Sequence, residues 1–98
     1  MDEQEQVVIN LIVNSGSARS SAIEAIQYAK AGDLDKAAES LQQAKETVNE
    51  AHHAQTELIQ AEKAPLNLLM VHAQDHLMTA LVVIDLAQEF VDLYKKVG

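Results

Sequence analysis

The feature that most constrains the fold is the spacing of apolar residues, which recur at three- and four-residue steps along three long stretches. This period places them on one side of an α-helix. The predicted helices run from Glu3 to Ala31, from Leu34 to Glu62 and from Leu68 to Lys95. Because the connections between them are short, successive helices are antiparallel. The sequence therefore predicts an all-α protein, an antiparallel up-down-up three-helix bundle, with residues 1–98 forming a single domain.

The connections carry residues that end and begin helices. Gly32 suits the C-terminal cap of the first helix, and Asp33 suits the N-cap of the second. Ala64-Pro65 breaks the chain again, and Asn67 can cap the third helix. Within the first helix, the poor helix formers at positions 14–17 predict a weak or kinked point, which costs about 1 kcal/mol at the glycine.

Composition limits the kind of core that such a bundle can have. Hydrophobic residues make up 48% of the chain and aromatic residues 3%, so the core is predicted to consist of Ala, Leu, Ile and Val. Small side chains bury little area, and a monomer of this kind is only marginally stable, which favours an oligomer. On the second helix the predicted inner side comprises Leu34, Ala37, Ala38, Leu41, Ala44, Val48, Ala51, Leu58 and Ile59.

Charge and missing residue types exclude several functions. The net charge of −8 argues against nucleic-acid binding, which needs a basic face, and fits a cytoplasmic protein whose partners carry positive patches. The sequence has no cysteine, which excludes disulfides, thiolate catalysis and zinc sites with sulfur ligands. The acidic N-terminus does not resemble a signal peptide, and no apolar run approaches the ~18 residues of a membrane span.

The third predicted helix is apolar on nearly every side between Leu68 and Val91. A helix of this kind is normally buried on every side, yet a three-helix monomer leaves one face of each helix exposed. We therefore expect its outer face to meet another subunit around a closed symmetry axis. The alternative is that some of these apolar residues simply lie at the surface.

Four polar residues interrupt this apolar helix: His72, Gln74, Asp75 and His76. His72, Asp75 and His76 are three and four residues apart and therefore share one face. Several polar groups in so apolar a helix call for a functional explanation, because burying an unpaired carboxylate is costly.

Four interpretations of this cluster are compatible with the residues alone. Two histidines four apart can bind zinc, with His52 and His53 as further ligands. They can be a hydrogen-bonded pair without chemistry, or a general acid–base pair, although no nucleophile or glycine-rich loop accompanies them. Finally, one of them can carry a phosphoryl group, because imidazole is nucleophilic near neutral pH.

Three segments resemble a known family in the right order along nearly the whole chain. They are Val71-His72-Ala73-Gln74-Asp75-His76-Leu77-Met78-Thr79-Ala80, Asn14-Ser15-Gly16-Ser17-Ala18-Arg19-Ser20 and Asn49-Glu50-Ala51-His52-His53-Ala54-Gln55-Thr56-Glu57-Leu58-Ile59. Together they resemble the lactose/cellobiose-type enzyme IIA of the bacterial sugar phosphotransferase system (PTS). The first segment is closer in form to the cellobiose/chitobiose branch.

The resemblance implies a subunit of three helices that assembles as a parallel homotrimer, a nine-helix bundle. It implies that His72 accepts a phosphoryl group on Nε2 from the phosphocarrier HPr and passes it to a cysteine of the cognate IIB. Gln74 and His76 match residues that surround the phosphohistidine. Asp75 matches an aspartate at the threefold axis, where three carboxylates can hold a divalent cation such as Mg²⁺.

The resemblance also implies a place in sugar uptake. It predicts a cytoplasmic bacterial component, associated only indirectly with the membrane transporter IIC, that serves a disaccharide such as cellobiose, chitobiose or lactose. The residues do not name the sugar. The alternative function is a non-catalytic helical oligomeric adaptor or a metal-binding protein. Independently, the antiparallel register places Gln55 opposite about Asp75, and Gln55 and His52 can therefore hydrogen-bond near the site.

Overall fold

The computed structural model describes residues 3–61 and 66–98. It contains three helices, α1 (Glu3–Lys30), α2 (Leu34–Gln60) and α3 (Leu68–Val97), and the described residues form no strand. The bundle measures 50 × 18 × 17 Å. The predicted all-α three-helix architecture is confirmed, whereas the predicted break at Ala64-Pro65 lies outside the described residues.

The turn between α1 and α2 is closed by the two predicted caps. Gly32 has φ +88°, a left-handed conformation that glycine adopts without steric cost. Its N–H donates to the carbonyl of Ala29 (3.0 Å), and the N–H of Asp33 donates to the carbonyl of Tyr28 (2.9 Å), the pair of bonds that defines a Schellman motif. The Asp33 side chain then accepts from the N–H of Lys36 at 3.2 Å and begins α2.

The start of α3 is fixed in the same way. The side chain of Asn67 accepts a hydrogen bond from the N–H of Met70 at 2.9 Å, which satisfies one of the unpaired donors of the first turn. The predicted cap is therefore confirmed. The position of the first turn determines how far His72 lies from the helix end.

The predicted weak point in α1 is built as continuous helix, since α1 runs through residues 14–17 without a break. Within it, Ser15 is fully buried and its hydroxyl has no hydrogen-bond partner among the described residues. Apart from its chain neighbours and its own helix backbone, no atom of residues 3–61 and 66–98 lies within 4 Å of the place where a Cβ on Gly16 would stand. The helix therefore continues through this segment. Two features lower its stability there, the unpaired hydroxyl of Ser15 and the glycine at position 16.

The core between the helices is built from alanine and aliphatic side chains, as the composition predicted. Its described members are Val8, Leu11, Ala18, Ala22, Ala25, Ala29, Ala37, Leu41, Ala44, Val48, Ala51, Leu58, Met70, Ala73, Leu77, Ala80, Ile84, Ala87 and Val91. Two predicted core residues of α2 were wrong: Ala38 is exposed and Ile59 is 70% exposed. Both lie one residue past a core position, Ala37 and Leu58, and one residue turns a helix by about 100°.

The third helix has a buried side and an exposed side, both apolar. Its core side carries Met70, Ala73, Leu77, Ala80, Ile84, Ala87 and Val91. On the opposite side lies a row that we call the outer stripe, made of Val71, Asp75, Met78, Val82, Leu86 and Leu93. Its apolar members are 46–57% exposed, so the fold of one chain leaves them uncovered. That another subunit covers the outer stripe stays a prediction.

Within residues 3–61 and 66–98, none of the helices combines enough length with enough apolar character for a membrane span.

Candidate functional site

The centre of the candidate site is a contact between two histidines on α3. The Nε2 atoms of His72 and His76 are 3.0 Å apart, and the two rings meet edge to face, with centroids 4.4 Å apart and planes at 81°. His72 is exposed and His76 is half-buried. Residues four apart lie one above the other on a helix, so the regular backbone of α3 sets this contact.

The distance between the two nitrogens defines what each one does. At 3.0 Å, one Nε2 carries a proton and donates, while the other offers its lone pair and accepts. Because a nucleophilic His72 needs a lone pair on Nε2, the tautomer that suits this role has His76 as the donor. In that arrangement the Nε2–H of His76 donates to the Nε2 lone pair of the exposed His72.

Gln74 is directed away from the histidine pair. Two residues along a helix correspond to a rotation of about 200°, so Gln74 lies on nearly the opposite side of α3 from His72. It is half-buried, where its Oε1 accepts from the side-chain amide of Gln55 on α2. The predicted hydrogen bond of Gln55 is therefore confirmed and joins α2 to α3, but it lies on the side of α3 away from the histidine pair. His52, for which the same was predicted, is exposed on α2.

Met70 is a contact of Gln74 that the sequence did not single out. Its Sδ lies 3.6 Å from the side-chain nitrogen of Gln74, so that the amide is held from two sides. The available signal was its position four residues before Gln74, which places the two side chains on one face.

Asp75 lies in the outer stripe and is exposed. Its backbone carbonyl accepts a hydrogen bond from the Thr79 hydroxyl at 2.8 Å, while its carboxylate has no hydrogen-bond or ion-pair partner among the described residues. The costly burial of this carboxylate, expected from the sequence, therefore does not occur within one chain. It arises only when something covers the outer stripe.

A zinc site completed by His52 and His53 is not formed. Both residues are exposed on α2, and residues 3–61 and 66–98 contain no group of three or more His, Asp or Glu side chains placed to hold one metal ion. The expectation was wrong because adjacent residues on a helix point about 100° apart and cannot both turn toward α3.

Comparisons with known proteins show which family the chain matches. The family model of the PTS lactose/cellobiose-specific IIA subunit matches residues 6–95. A lichenan-specific phosphotransferase enzyme IIA component from Bacillus subtilis is 51% identical, over 98% of this chain and 91% of that protein.

Two solved structures agree with these matches. The crystal structure of the PTS cellobiose-specific enzyme IIA from Bacillus anthracis has a TM-score of 0.94 and 54% identity, and the match covers 99% of this chain and 93% of that one. The IIA(chitobiose) protein of Escherichia coli, in its solution complex with HPr, has a TM-score of 0.86 and 42% identity, with 99% and 98% covered.

The fold and these matches define a helical phosphotransferase component of a sugar-transport system. More narrowly, the chain belongs to the family of PTS lactose/cellobiose-specific IIA subunits.

Proposed function

We propose that the chain is a phosphorelay subunit in which His72 accepts a phosphoryl group from HPr and passes it to a cysteine of the cognate IIB. The observation that carries the proposal is the 3.0 Å contact that holds Nε2 of an exposed His72 against His76. The solution complex of a similar chitobiose protein with HPr supports HPr as the donor. The relay would serve uptake and phosphorylation of a disaccharide such as cellobiose, chitobiose or lactose.

The proposed transfer needs one nucleophilic nitrogen and little further covalent chemistry. The Nε2 lone pair of His72 forms a bond to phosphorus while the bond from phosphorus to HPr breaks, and the electron pair of that bond stays with HPr. In the onward step a cysteine thiolate of IIB attacks, and the electron pair of the N–P bond returns to His72. The enzyme's contribution to such transfers is mainly positioning and charge stabilisation.

His76 supplies that stabilisation in this proposal. Before transfer, its Nε2–H donates to the lone pair of His72. After transfer, that lone pair is bonded to phosphorus, and the same N–H is released to donate to a phosphoryl oxygen. A hydrogen bond to a charged oxygen is about twice as strong as one between neutral groups, so this exchange favours the phosphorylated state.

The proposed assembly is a homotrimer of parallel subunits in which the three outer stripes meet. Its support is the row of half-exposed apolar side chains on α3 that one chain leaves uncovered. His72 and Gln74 lie on the two opposite flanks of this stripe. In a cyclic assembly each flank faces the other flank of a neighbour, so Gln74 of one subunit is placed to support a phosphoryl group on His72 of the next.

Asp75 is the proposed axial residue. It is the charged member of the outer stripe near His72, and three copies would bring three carboxylates together. Oxygen donors of this kind suit a hard cation such as Mg²⁺, and like charges so close must share a cation or protons. The bound cation would neutralise the three carboxylates; the phosphoryl transfer itself is carried by the histidines.

We further propose that the subunit works in the bacterial cytoplasm and meets the membrane transporter IIC only through IIB. The net charge of −8 favours basic docking surfaces on its partners. Such docking should weaken as salt rises, because exposed charges are screened over about 8 Å at physiological ionic strength.

The test is a phosphorylation assay with phosphoenolpyruvate, enzyme I and HPr. Wild-type protein should acquire one acid-labile phosphate, and His72→Ala should acquire none. His53→Ala should behave as wild type, because His53 lies on α2 and is not part of the histidine pair on α3. Phosphate retained by His72→Ala would refute the assignment. A wild-type protein that acquires no phosphate would refute the relay and favour a helical adaptor.

A further inference from the structure

We infer that His72 and His76 together form a chelating site for a borderline divalent transition-metal ion, of which Cu²⁺, Ni²⁺ and Zn²⁺ are the chemical class. The site is distinct from the proposed Mg²⁺ position at Asp75. It consists of two nitrogen ligands from one turn of α3 and needs no second subunit.

The two ligand atoms lie at the distance that one metal ion requires. Metal–imidazole bonds of about 2.0–2.1 Å with an angle of about 90° at the metal separate two nitrogens by about 2.9 Å, and a tetrahedral angle separates them by about 3.3–3.4 Å. The Nε2 atoms of His72 and His76 are 3.0 Å apart. The pair therefore fits the right-angled sites of Cu²⁺ and Ni²⁺ directly, and Zn²⁺ after a shift of a few tenths of an ångström.

The two Nε2 atoms lie on the facing sides of the two rings. Their hydrogen bond directs each one along the line to the other, and an ion bound at about 90° lies to one side of that line, so each ring has to turn by about 45° for both lone pairs to meet at the ion. On binding, the ion takes the place between the two Nε2 atoms, and the proton of the donating Nε2 moves by exchange with solvent to Nδ1 of the same ring, so that both imidazoles bind in their neutral form. Since His72 is exposed, the ion can reach both nitrogens and complete its coordination with water.

The two nitrogen ligands also make the site selective among metal ions. Imidazole nitrogens suit copper, nickel and zinc, whereas Mg²⁺ prefers oxygen. Within the part of the chain that the structure describes, no third His, Asp or Glu joins the pair, so affinity rests on these two nitrogens. Cu²⁺ should bind most tightly of the three, and an excess of Mg²⁺ should not displace it.

The site has a consequence for the relay, and this part rests on the proposed function. The lone pair of Nε2 on His72 cannot bind a metal ion and a phosphoryl group at once. Metal binding and phosphorylation therefore exclude one another, and these ions act as inhibitors of phosphoryl acceptance.

The experiment is a calorimetric titration of tag-free, unphosphorylated protein with Ni²⁺, repeated in excess Mg²⁺. Wild type should bind one Ni²⁺ per chain, unaffected by Mg²⁺. His72→Ala and His76→Ala should each lose at least about tenfold in affinity, because even partners outside the ligand shell contribute 10–100-fold. The matched control removes two histidines at once, His52→Ala with His53→Ala, and should retain wild-type affinity.

Circular dichroism melts of each variant confirm folding, and paramagnetic broadening by Ni²⁺ should be centred on the His72 and His76 rings. Equal affinity of wild type and His72→Ala, or loss of binding in the His52/His53 control, would overturn the site. Phosphorylated protein should bind Ni²⁺ at least about tenfold more weakly, and unchanged affinity would overturn the exclusion.

The two proposals fail separately. A protein that binds Ni²⁺ through the pair but acquires no phosphate refutes the relay, and with it the exclusion, while the metal site stands. A protein that is phosphorylated on His72 but binds no Ni²⁺ refutes the metal site alone.

Discussion

His72 and His76 act as a pair because a helix brings every fourth residue into line. The sequence is sufficient to predict this contact, since the spacing of four is fixed by the backbone of α3. It is also sufficient to single out the cluster, because polar residues stand out in an apolar helix. The orientation of Gln74 was harder to predict, because its bond to Gln55 depends on where α2 packs.

We predict that His76→Ala slows phosphoryl transfer from HPr by about 10²-fold, the effect of losing one hydrogen-bond donor to a developing charge. His76→Gln, which keeps an N–H donor on a shorter reach, should recover part of the rate. Rapid-quench measurement of phosphate incorporation checks both. Equal rates for wild type and His76→Ala would show that the donor has no such role.

The buried hydroxyl of Ser15 should lower the stability of the protein. Because this group has no hydrogen-bond partner in the part of the chain that the structure describes, Ser15→Ala should raise the free energy of unfolding by about 1 kcal/mol more than Ser17→Ala does. Ser17 is exposed on the same helix, so the control subtracts the difference in helix propensity between Ser and Ala. Urea denaturation gives both values, and a loss of stability in Ser15→Ala would be the contrary result.

The helices themselves follow closely from the sequence, since their caps are local. Gly32, Asp33 and Asn67 make the bonds predicted for them, each within a few residues along the chain. The prediction of which α2 residues face the core was less exact, because it wrongly included Ala38 and Ile59. An apolar side chain next to a core position fits the same pattern, and only packing of the helices decides between neighbours.

We predict that Gly32→Ala lowers the stability of the protein to unfolding by straining the turn between α1 and α2. Beyond its two chain neighbours, a Cβ at this position meets no atom of the described residues within 4 Å, so the cost comes from its φ of +88° and should be about 1 kcal/mol. Gly32→Asn should cost less, because asparagine tolerates this conformation. Thermal or urea unfolding that ranks alanine above asparagine in stability would contradict the account.

For the whole molecule, the central feature is an outer stripe that one chain leaves exposed. The sequence predicts it, because an α3 that is apolar on every side has more apolar surface than two neighbouring helices can cover. The sequence of one chain does not specify how copies meet, since that depends on the shape of the surfaces that α1 and α2 place beside the stripe. The proposed pairing of Gln74 with His72 of a neighbour could therefore not be predicted from the sequence of one chain.

Charge substitutions distinguish this stripe from the rest of the surface. Val82→Lys should dissociate the proposed trimer, because three ammonium groups would meet where apolar side chains now lie. Ile59→Lys is the matched control: Ile59 is 70% exposed on α2 and lies outside the stripe, so the trimer should persist. Sedimentation equilibrium checks both, and a trimeric Val82→Lys would refute the proposed interface.

Asp75→Leu should have the opposite effect on assembly. Replacing charges that become buried by apolar side chains is neutral or stabilising by about 1–4 kcal/mol, so the variant should remain trimeric at dilutions where wild type dissociates. Sedimentation at decreasing concentration measures this. A variant found as monomer at every concentration would exclude Asp75 from the axis.

The proposed relay requires that Nε2 of His72 carries the phosphoryl group. Protein labelled with ¹⁵N-histidine and phosphorylated through HPr can be examined by long-range ¹H–¹⁵N NMR, which resolves each ring nitrogen of the four histidines. The predicted result is a phosphoryl group on Nε2 of His72, with the resonances of His76 shifted by its new hydrogen bond. A phosphoryl group on Nδ1 of His72, or on any other histidine, would contradict the account.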